Sequence, residues 1–245
     1  MAASPRLLLM MAMEAEADPV RRALGITATG RPVHPRFPFV LYHQAGRAIG
    51  AGVTTDIAVA VYGTDPRFGV DAIGTQPAAV ATTLAAAETE PTLIVSAGTA
   101  GGFANRGGAI GSVYLSAAPV VFHDRRIPLG AFEPYGVGSY PTIGTDKIAE
   151  AAGVEPGVVT TGNSLDAPAV DRATMESAGA HAKDMEAAAV AWVAESLGVD
   201  FAAVKAITDL IDTPEPTADQ FERNLTHATE RLAEMIPAVL RALLR

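Results

Sequence analysis

Cysteine is absent from the 245 residues, which excludes disulfides and thiol nucleophiles and leaves the redox compartment undetermined. Metal-ligand spacing is also missing. The five histidines (34, 43, 123, 181 and 227) form no His-Glu-x-x-His or similar pattern, so neither a metal nor any other cofactor is expected. No apolar run approaches the length of a membrane span. Basic residues are scarce: 18 Lys and Arg stand against 27 Asp and Glu, and the net charge of −9 argues against a nucleic-acid or anionic-membrane partner. Linkers, repeats and low-complexity stretches are lacking, and strand patterns alternate with helix patterns throughout. One α/β domain over residues 1–245 is therefore expected. Nor is there a convincing export signal. Arg6, an apolar stretch over 7–13 and Ala15-Glu16-Ala17 imitate one, but the stretch is at the lower limit of length and acids follow at once. A buried strand explains residues 7–12 better, and a cytoplasmic location is expected.

What the chain does have is acid in apolar company. Segment 183–212 contains Glu186 at the start of a predicted helix and Asp209 at the end of a predicted strand. Met185, Ala188, Ala189, Trp192 and Val193 share one helical face, with Asp184 as N-cap and Gly198 as the stop. Residues 201–207 are β-branched and apolar, interrupted only by Lys205. Asp209 then falls at the strand's carboxyl end, where ligands bind in open α/β sheets. Taken singly, such acids are better explained by the helix dipole and by turn chemistry than by a function. A third, Glu16, follows the first strand and so belongs near another carboxyl end. Burying carboxylates without a task is costly, and the three together point to a site.

Residues 93–103 read as a buried strand running into a glycine-rich turn, where backbone N–H groups approach a ligand. The spacing is neither the dinucleotide nor the P-loop pattern.

The combination Ala12-Met13-Glu14-Ala15-Glu16, Ser96-Ala97-Gly98-Thr99-Ala100-Gly101-Gly102-Phe103, Asp184-Met185-Glu186-Ala187-Ala188-Ala189 and Ala206-Ile207-Thr208-Asp209 resembles the purine nucleoside phosphorylase and uridine phosphorylase superfamily. Within it, the chain resembles the 5′-methylthioadenosine / S-adenosylhomocysteine nucleosidases. It is most similar to their plant-type branch, through the segment 121–128, Thr161-Gly162 with Ser164-Leu165-Asp166, and Pro216-Thr217-Ala218. The resemblance implies a three-layer α/β/α sandwich around a central mixed, partly barrel-like sheet. It implies hydrolysis of 5′-methylthioadenosine, and it leaves S-adenosylhomocysteine and 5′-deoxyadenosine open as further substrates. It also implies a homodimer.

Carried over residue by residue, it makes Asp209 the acid that protonates the purine at N7, Glu16 the base that activates water, and Glu186 the clamp on the ribose hydroxyls. An aspartate with an ordinary pKa near 3.9 is too acidic for that task, so its site must raise the pKa. The logic parallels glycoside hydrolysis. Met13, Ile73 and Met185 would pack around the sugar and alkylthio group, Thr99 would contact the nucleoside, and Thr208 and Leu165 would lie beside the base. For these apolar positions ordinary core packing is the competing explanation.

Departures from the family pattern are Asn163, where aspartate is usual, and Glu14, where glutamine is usual and solvent exposure is expected. Lys205 matches the plant branch. His123-Asp124-Arg125-Arg126 reads either as a surface loop or as part of the dimer contact, with Phe132 nearby as a candidate for the partner's pocket. Thr217-Ala218-Asp219-Gln220 reads as a capping box opening a long amphipathic helix through Phe221, Leu225, Leu232, Ile236 and Leu240. The alternatives are a phosphorylase, kept open by Arg67, and a non-catalytic nucleoside-binding protein on the same fold.

Overall fold

A computed structural model describes residues 6–50 and 52–245. Its strands are β1 (Arg6–Met11), β2 (Arg31–Pro32), β3 (Val40–Ala48), β4 (Thr54–Val61), β5 (Leu93–Gly102), β6 (Val113–Ser116), β7 (Val121–Phe122), β8 (Glu155–Gly157), β9 (Val159–Thr161), β10 (Ala182–Asp184) and β11 (Asp200–Leu210). The α-helices are α1 (Glu14–Leu24), α2 (Thr75–Thr89), α3 (Phe132–Val137), α4 (Asp146–Ala152), α5 (Ala169–Ala178), α6 (Ala187–Leu197) and α7 (Thr217–Leu243).

All the strands join one mixed sheet in the order β2-β3-β4-β1-β5-β10-β9-β7, with β11, β6 and β8 branching from β5. The branch is what makes room for a site. Leu93 to Ser96 pair in parallel with β1, but beyond Ser96 the strand leaves β1 and meets β10 antiparallel at Gly101 and Gly102. β11 runs parallel to β5 along its whole length. A crevice therefore opens beside the carboxyl ends of β1, β5 and β11, as parallel packing favours.

Both faces of the inner strands β1, β5 and β11 are buried, which explains why they are continuously apolar. Alternate residues of β1 serve opposite cores. Leu7, Leu9 and Met11 pack with Val20, Leu232, Ile236 and Leu240 under α1 and α7. Leu8 and Met10 pack with Ala78, Ala81, Ala188 and Val190 under α2 and α6. Alanine on both of these helices lets them approach each other and the sheet closely.

Several expectations need correction. The glycine-rich stretch is not a turn: Gly98, Gly101 and Gly102 lie within β5. Trp192 is 46% exposed; with Glu195 and Ser196 it forms the narrow outward stripe of a helix otherwise buried on nearly every side. Thr217 is the first residue of α7 and its side chain caps nothing, since Pro216 occupies the cap. Gln220 instead reaches back, accepting from the Leu210 N–H at 3.0 Å and donating to the Glu215 carbonyl at 2.9 Å. That bond set fixes the loop after Asp209.

Candidate active site

Glu16 reaches the crevice because α1 starts immediately after β1. Its Oε1 accepts the Thr99 N–H and the Thr99 hydroxyl, both at 2.7 Å. Its Oε2 accepts the Met13 N–H at 3.3 Å. The glycine beside Thr99 leaves space for this: a Cβ on Gly98 would come 3.1 Å from Oε1. Burial pushes the Glu16 pKa up, against the opposing pull of the Thr99 hydrogen bonds and Lys205.

Below it lies a buried ion pair. Lys205 Nζ stands 2.8 Å from Asp184 Oδ2 and 3.2 Å from the Ser96 hydroxyl. Asp184 also accepts the Thr161 hydroxyl at 2.5 Å and the Ala187 N–H at 2.8 Å. Asp184 thus caps α6 with its side chain from the end of β10, while Glu186, placed by the sequence in the first helical turn, occupies the cap position itself. Burial works against the charge of Lys205, but Asp184 and then Glu186 lift its pKa above the ordinary lysine value. The contact is a single point charge on one carboxylate oxygen rather than a bidentate fork, a geometry suited to lysine.

Glu186 Oε1 accepts the Gly74 N–H at 2.9 Å. Its pKa is raised to about 7, first by burial and then by the neighbouring Asp184 charge. The buried Tyr62 hydroxyl has no hydrogen-bond partner among the described residues. Its pKa is pushed well up by burial, with Glu186 adding to the effect.

Asp209 sits where the β11 register shifts between Ile207 and Asp209. This irregularity sets Thr208 outside the ladder, and the Thr208 hydroxyl donates to Asp209 Oδ1 at 2.8 Å. Asp209 Oδ2 lies over β5, where a Cβ on Gly101 would come within 2.8 Å. Burial raises the Asp209 pKa, while the Thr208 hydrogen bond and Lys183 oppose that rise.

Glu16, Glu186 and Asp209 line one cavity of about 200 Å³, together with Met13, Ile73, Thr99, Leu165, Met185 and Thr208. Every residue singled out in the sequence for this site is brought together there. Lys183 and Phe221 line it as well. The first was overlooked although it lies two residues before Met185, on the same face of an extended segment. Its Nζ donates to the carbonyls of Ser164 and Leu165 at 2.6 and 2.9 Å, so it fixes the Leu165 wall. Burial lowers the Lys183 pKa, with Asp209 pulling the other way.

Other polar candidates lie apart from these walls. His123 is buried, with Nδ1 3.2 Å from the Thr160 hydroxyl, and burial together with Lys183 lowers its pKa to about 4. Arg126 pairs with Asp171, so the 123–126 cluster is partly internal rather than a plain surface loop. Glu14 is exposed and bonded to Arg21. Arg67 is exposed, stacked over Phe68 and outside the cavity lining.

The crevice therefore offers two kinds of group: carboxyls with raised pKa values, able to carry or accept a proton, and apolar faces able to cover a flat ligand. The phosphorylase superfamily model matches residues 6–241 of the chain. A 5′-methylthioadenosine nucleosidase of Arabidopsis thaliana is 39% identical over 229 residues, 92% of this chain and 82% of that protein. A 5′-methylthioadenosine/S-adenosylhomocysteine nucleosidase of the same plant is 33% identical, covering 96% of this chain and 90% of the relative. The apo structure of an A. thaliana 5′-methylthioadenosine nucleosidase superposes with a TM-score of 0.89 at 37% identity, over 98% of this chain and 96% of that one.

Proposed function

The chain belongs to the phosphorylase superfamily, and we propose that it is an N-ribosyl hydrolase that cleaves 5′-methylthioadenosine to adenine and 5-methylthioribose. The observation that carries this reading is the convergence of Glu16, Glu186 and Asp209 on one apolar-walled cavity, with burial raising the pKa of each. The similarity to nucleosidases along most of the chain supports it.

In this mechanism the glycosidic C–N bond breaks with its electrons passing to the purine. Asp209 enters protonated and delivers its proton to N7, so the base leaves as neutral adenine. The raised pKa favours that protonated state. Glu16 takes a proton from the attacking water, whose oxygen bonds to the cationic sugar carbon; its two Thr99 hydrogen bonds hold the carboxylate in place. Glu186 accepts hydrogen bonds from the sugar hydroxyls, its own orientation set by the Gly74 N–H. Met13, Ile73 and Met185 cover the sugar and alkylthio group, and Leu165, Thr99 and Thr208 flank the nucleoside.

A phosphorylase would need cationic or donor groups for phosphate at the water face. Glu16 opposes that charge, and Arg67 does not line the cavity. A purely binding role leaves three buried, pKa-raised carboxylates without a task. In the same reading, Leu129, Phe132 and Tyr135, exposed by 67%, 57% and 59%, are covered by a second copy in a homodimer. Among the described residues no helix is long and apolar enough to cross a membrane.

The test is adenine release from 5′-methylthioadenosine by the wild type and by Asp209→Asn. Loss of a general acid costs about 10²- to 10⁴-fold in turnover, and near-normal turnover by the variant removes Asp209 from the role.

A further inference from the structure

We propose that Asn163 is a positioning residue for Glu186, a neutral clasp joining the start of α2 to the Asp124 loop. The inference rests on the reading of Glu186 as the sugar clamp. The amide that orients Glu186 belongs to Gly74, whose φ of 97° and ψ of 178° suit glycine and few other residues. Nothing within Gly74 itself holds that conformation. The adjoining residue does: Thr75 donates its N–H at 3.0 Å and its hydroxyl at 2.8 Å to Asn163 Oδ1.

The opposite side of Asn163 faces a carboxylate. Its main-chain N–H and its Nδ2 both donate to Asp124 Oδ2, at 2.8 and 3.1 Å. The site therefore needs one side chain that accepts on one edge and donates on the other, and asparagine does both. The same demand fixes the amide orientation, with oxygen toward Thr75 and nitrogen toward Asp124. An aspartate at 163 would still accept from Thr75 but would turn a second negative oxygen toward Asp124. The other Asp124 oxygen, Oδ1, is buried with no hydrogen-bond partner among the described residues, so no donor there relieves the repulsion.

The clasp stands at the exposed rim of the cavity and acts on both of its sides. Ile73 immediately precedes Gly74 on one side. On the other, Ser164 and Leu165 follow Asn163, their carbonyls held by Lys183. Asn163 thus sets the spacing of the Ile73 and Leu165 walls as well as the amide under Glu186.

The test uses the intact protein in three forms: Asn163→Ala, Asn163→Asp, and Asn163→Asp combined with Asp124→Asn. Two quantities are read: steady-state kinetics on 5′-methylthioadenosine, and amide hydrogen exchange across residues 69–80 without substrate. Loss of the clasp should raise KM about tenfold with a smaller fall in kcat, because the weakened sugar contact acts already in the ground state. Exchange at Thr75 should quicken by about the same factor. Asn163→Asp should be at least as impaired as Asn163→Ala. The double variant removes one of the two facing negative charges and keeps an acceptor for Thr75, while the amide oxygen placed at position 124 can still receive the main-chain N–H of residue 163. It should recover part of the loss in KM and exchange relative to Asn163→Asp, because contacting residues are energetically coupled. Wild-type KM and exchange in Asn163→Asp, or a double variant no better than the single, would overturn the proposal. Exchange is measured without turnover, so an inactive wild type would refute the nucleosidase reading while the clasp is still judged by exchange.

Discussion

Replacing Lys205 with methionine removes the ammonium from beneath the site and keeps most of the side-chain volume. Lys205 is 2% exposed and pairs with Asp184, whose side chain has no exposure at all. The variant therefore leaves the Asp184 carboxyl buried and close to Glu186 without its cation, with only the Thr161 hydroxyl and the Ala187 N–H to compensate. Breaking a buried pair from one side costs about 3–5 kcal/mol, a large share of the roughly 5–15 kcal/mol that holds a domain folded. Urea unfolding at pH 7 should show a midpoint lower by about 1 M or more, at a slope of about 2–3 kcal/mol per M.

The loss should also depend on pH. Glu186 has a folded pKa of about 7 against an ordinary 4.5, so the folded state binds the extra proton. Its contribution to stability falls as pH rises from about 4.5 to about 7. Lys205 holds that pKa down; without it the decline should extend above pH 7, and the gap to wild type should widen from pH 5 to pH 8. The raised pKa of Lys205 itself has no part in this window, since the stability it confers is complete below its unfolded value of 10.5 and is lost only above it. Adding Asp184→Asn should recover part of the loss by removing the unpaired charge. An unchanged midpoint, or a deficit that does not vary with pH, would refute this account of the cluster.

Gly101→Ala would put a methyl group 2.8 Å from both Asp209 Oδ2 and Ile211 Cγ2. It should cost about 1–3 kcal/mol of stability and displace the acid without removing it, lowering kcat at least about tenfold, less than the roughly 10²- to 10⁴-fold of losing a general acid outright; wild-type kcat in a folded variant would mean that Asp209 needs no such placement. Methylthioadenosine should be preferred to S-adenosylhomocysteine by at least about tenfold in kcat/KM, because an apolar 5′ wall leaves the amino and carboxylate groups of the longer tail unpaired. Equal specificity constants would mean that the pocket is open at that end.

Much of this was legible in the chain because buried strands and carboxylates leave strong local signals. The apolar start of the 93–103 stretch, the run 201–207, the stop at Gly198 and the acids at 16, 186 and 209 are all visible without coordinates. What stayed hidden depends on a second element. Gly98 and Gly101 read as turn residues, yet they are strand positions kept bare so that Glu16 and Asp209 can lie against β5. Trp192 fits the apolar spacing of α6, but the alanines around it cover both the sheet and α2 and leave the indole outside. Thr217 matches a capping pattern, yet the loop after Asp209 recruits Gln220 for its own hydrogen bonds. Lys183 was missed because a lysine beside acids usually marks a solvated surface; only the fold shows that it holds the Leu165 carbonyl.

The central claim is that water, and not phosphate, attacks the sugar, with Glu16 as its base. The most direct measurement is product analysis by mass spectrometry after incubation with 5′-methylthioadenosine, once without phosphate and once with it in excess. The account predicts equal rates of adenine release and free 5-methylthioribose in both samples, and loss of both products in Glu16→Gln. A rate that requires phosphate, with 5-methylthioribose 1-phosphate as the main product, would contradict it.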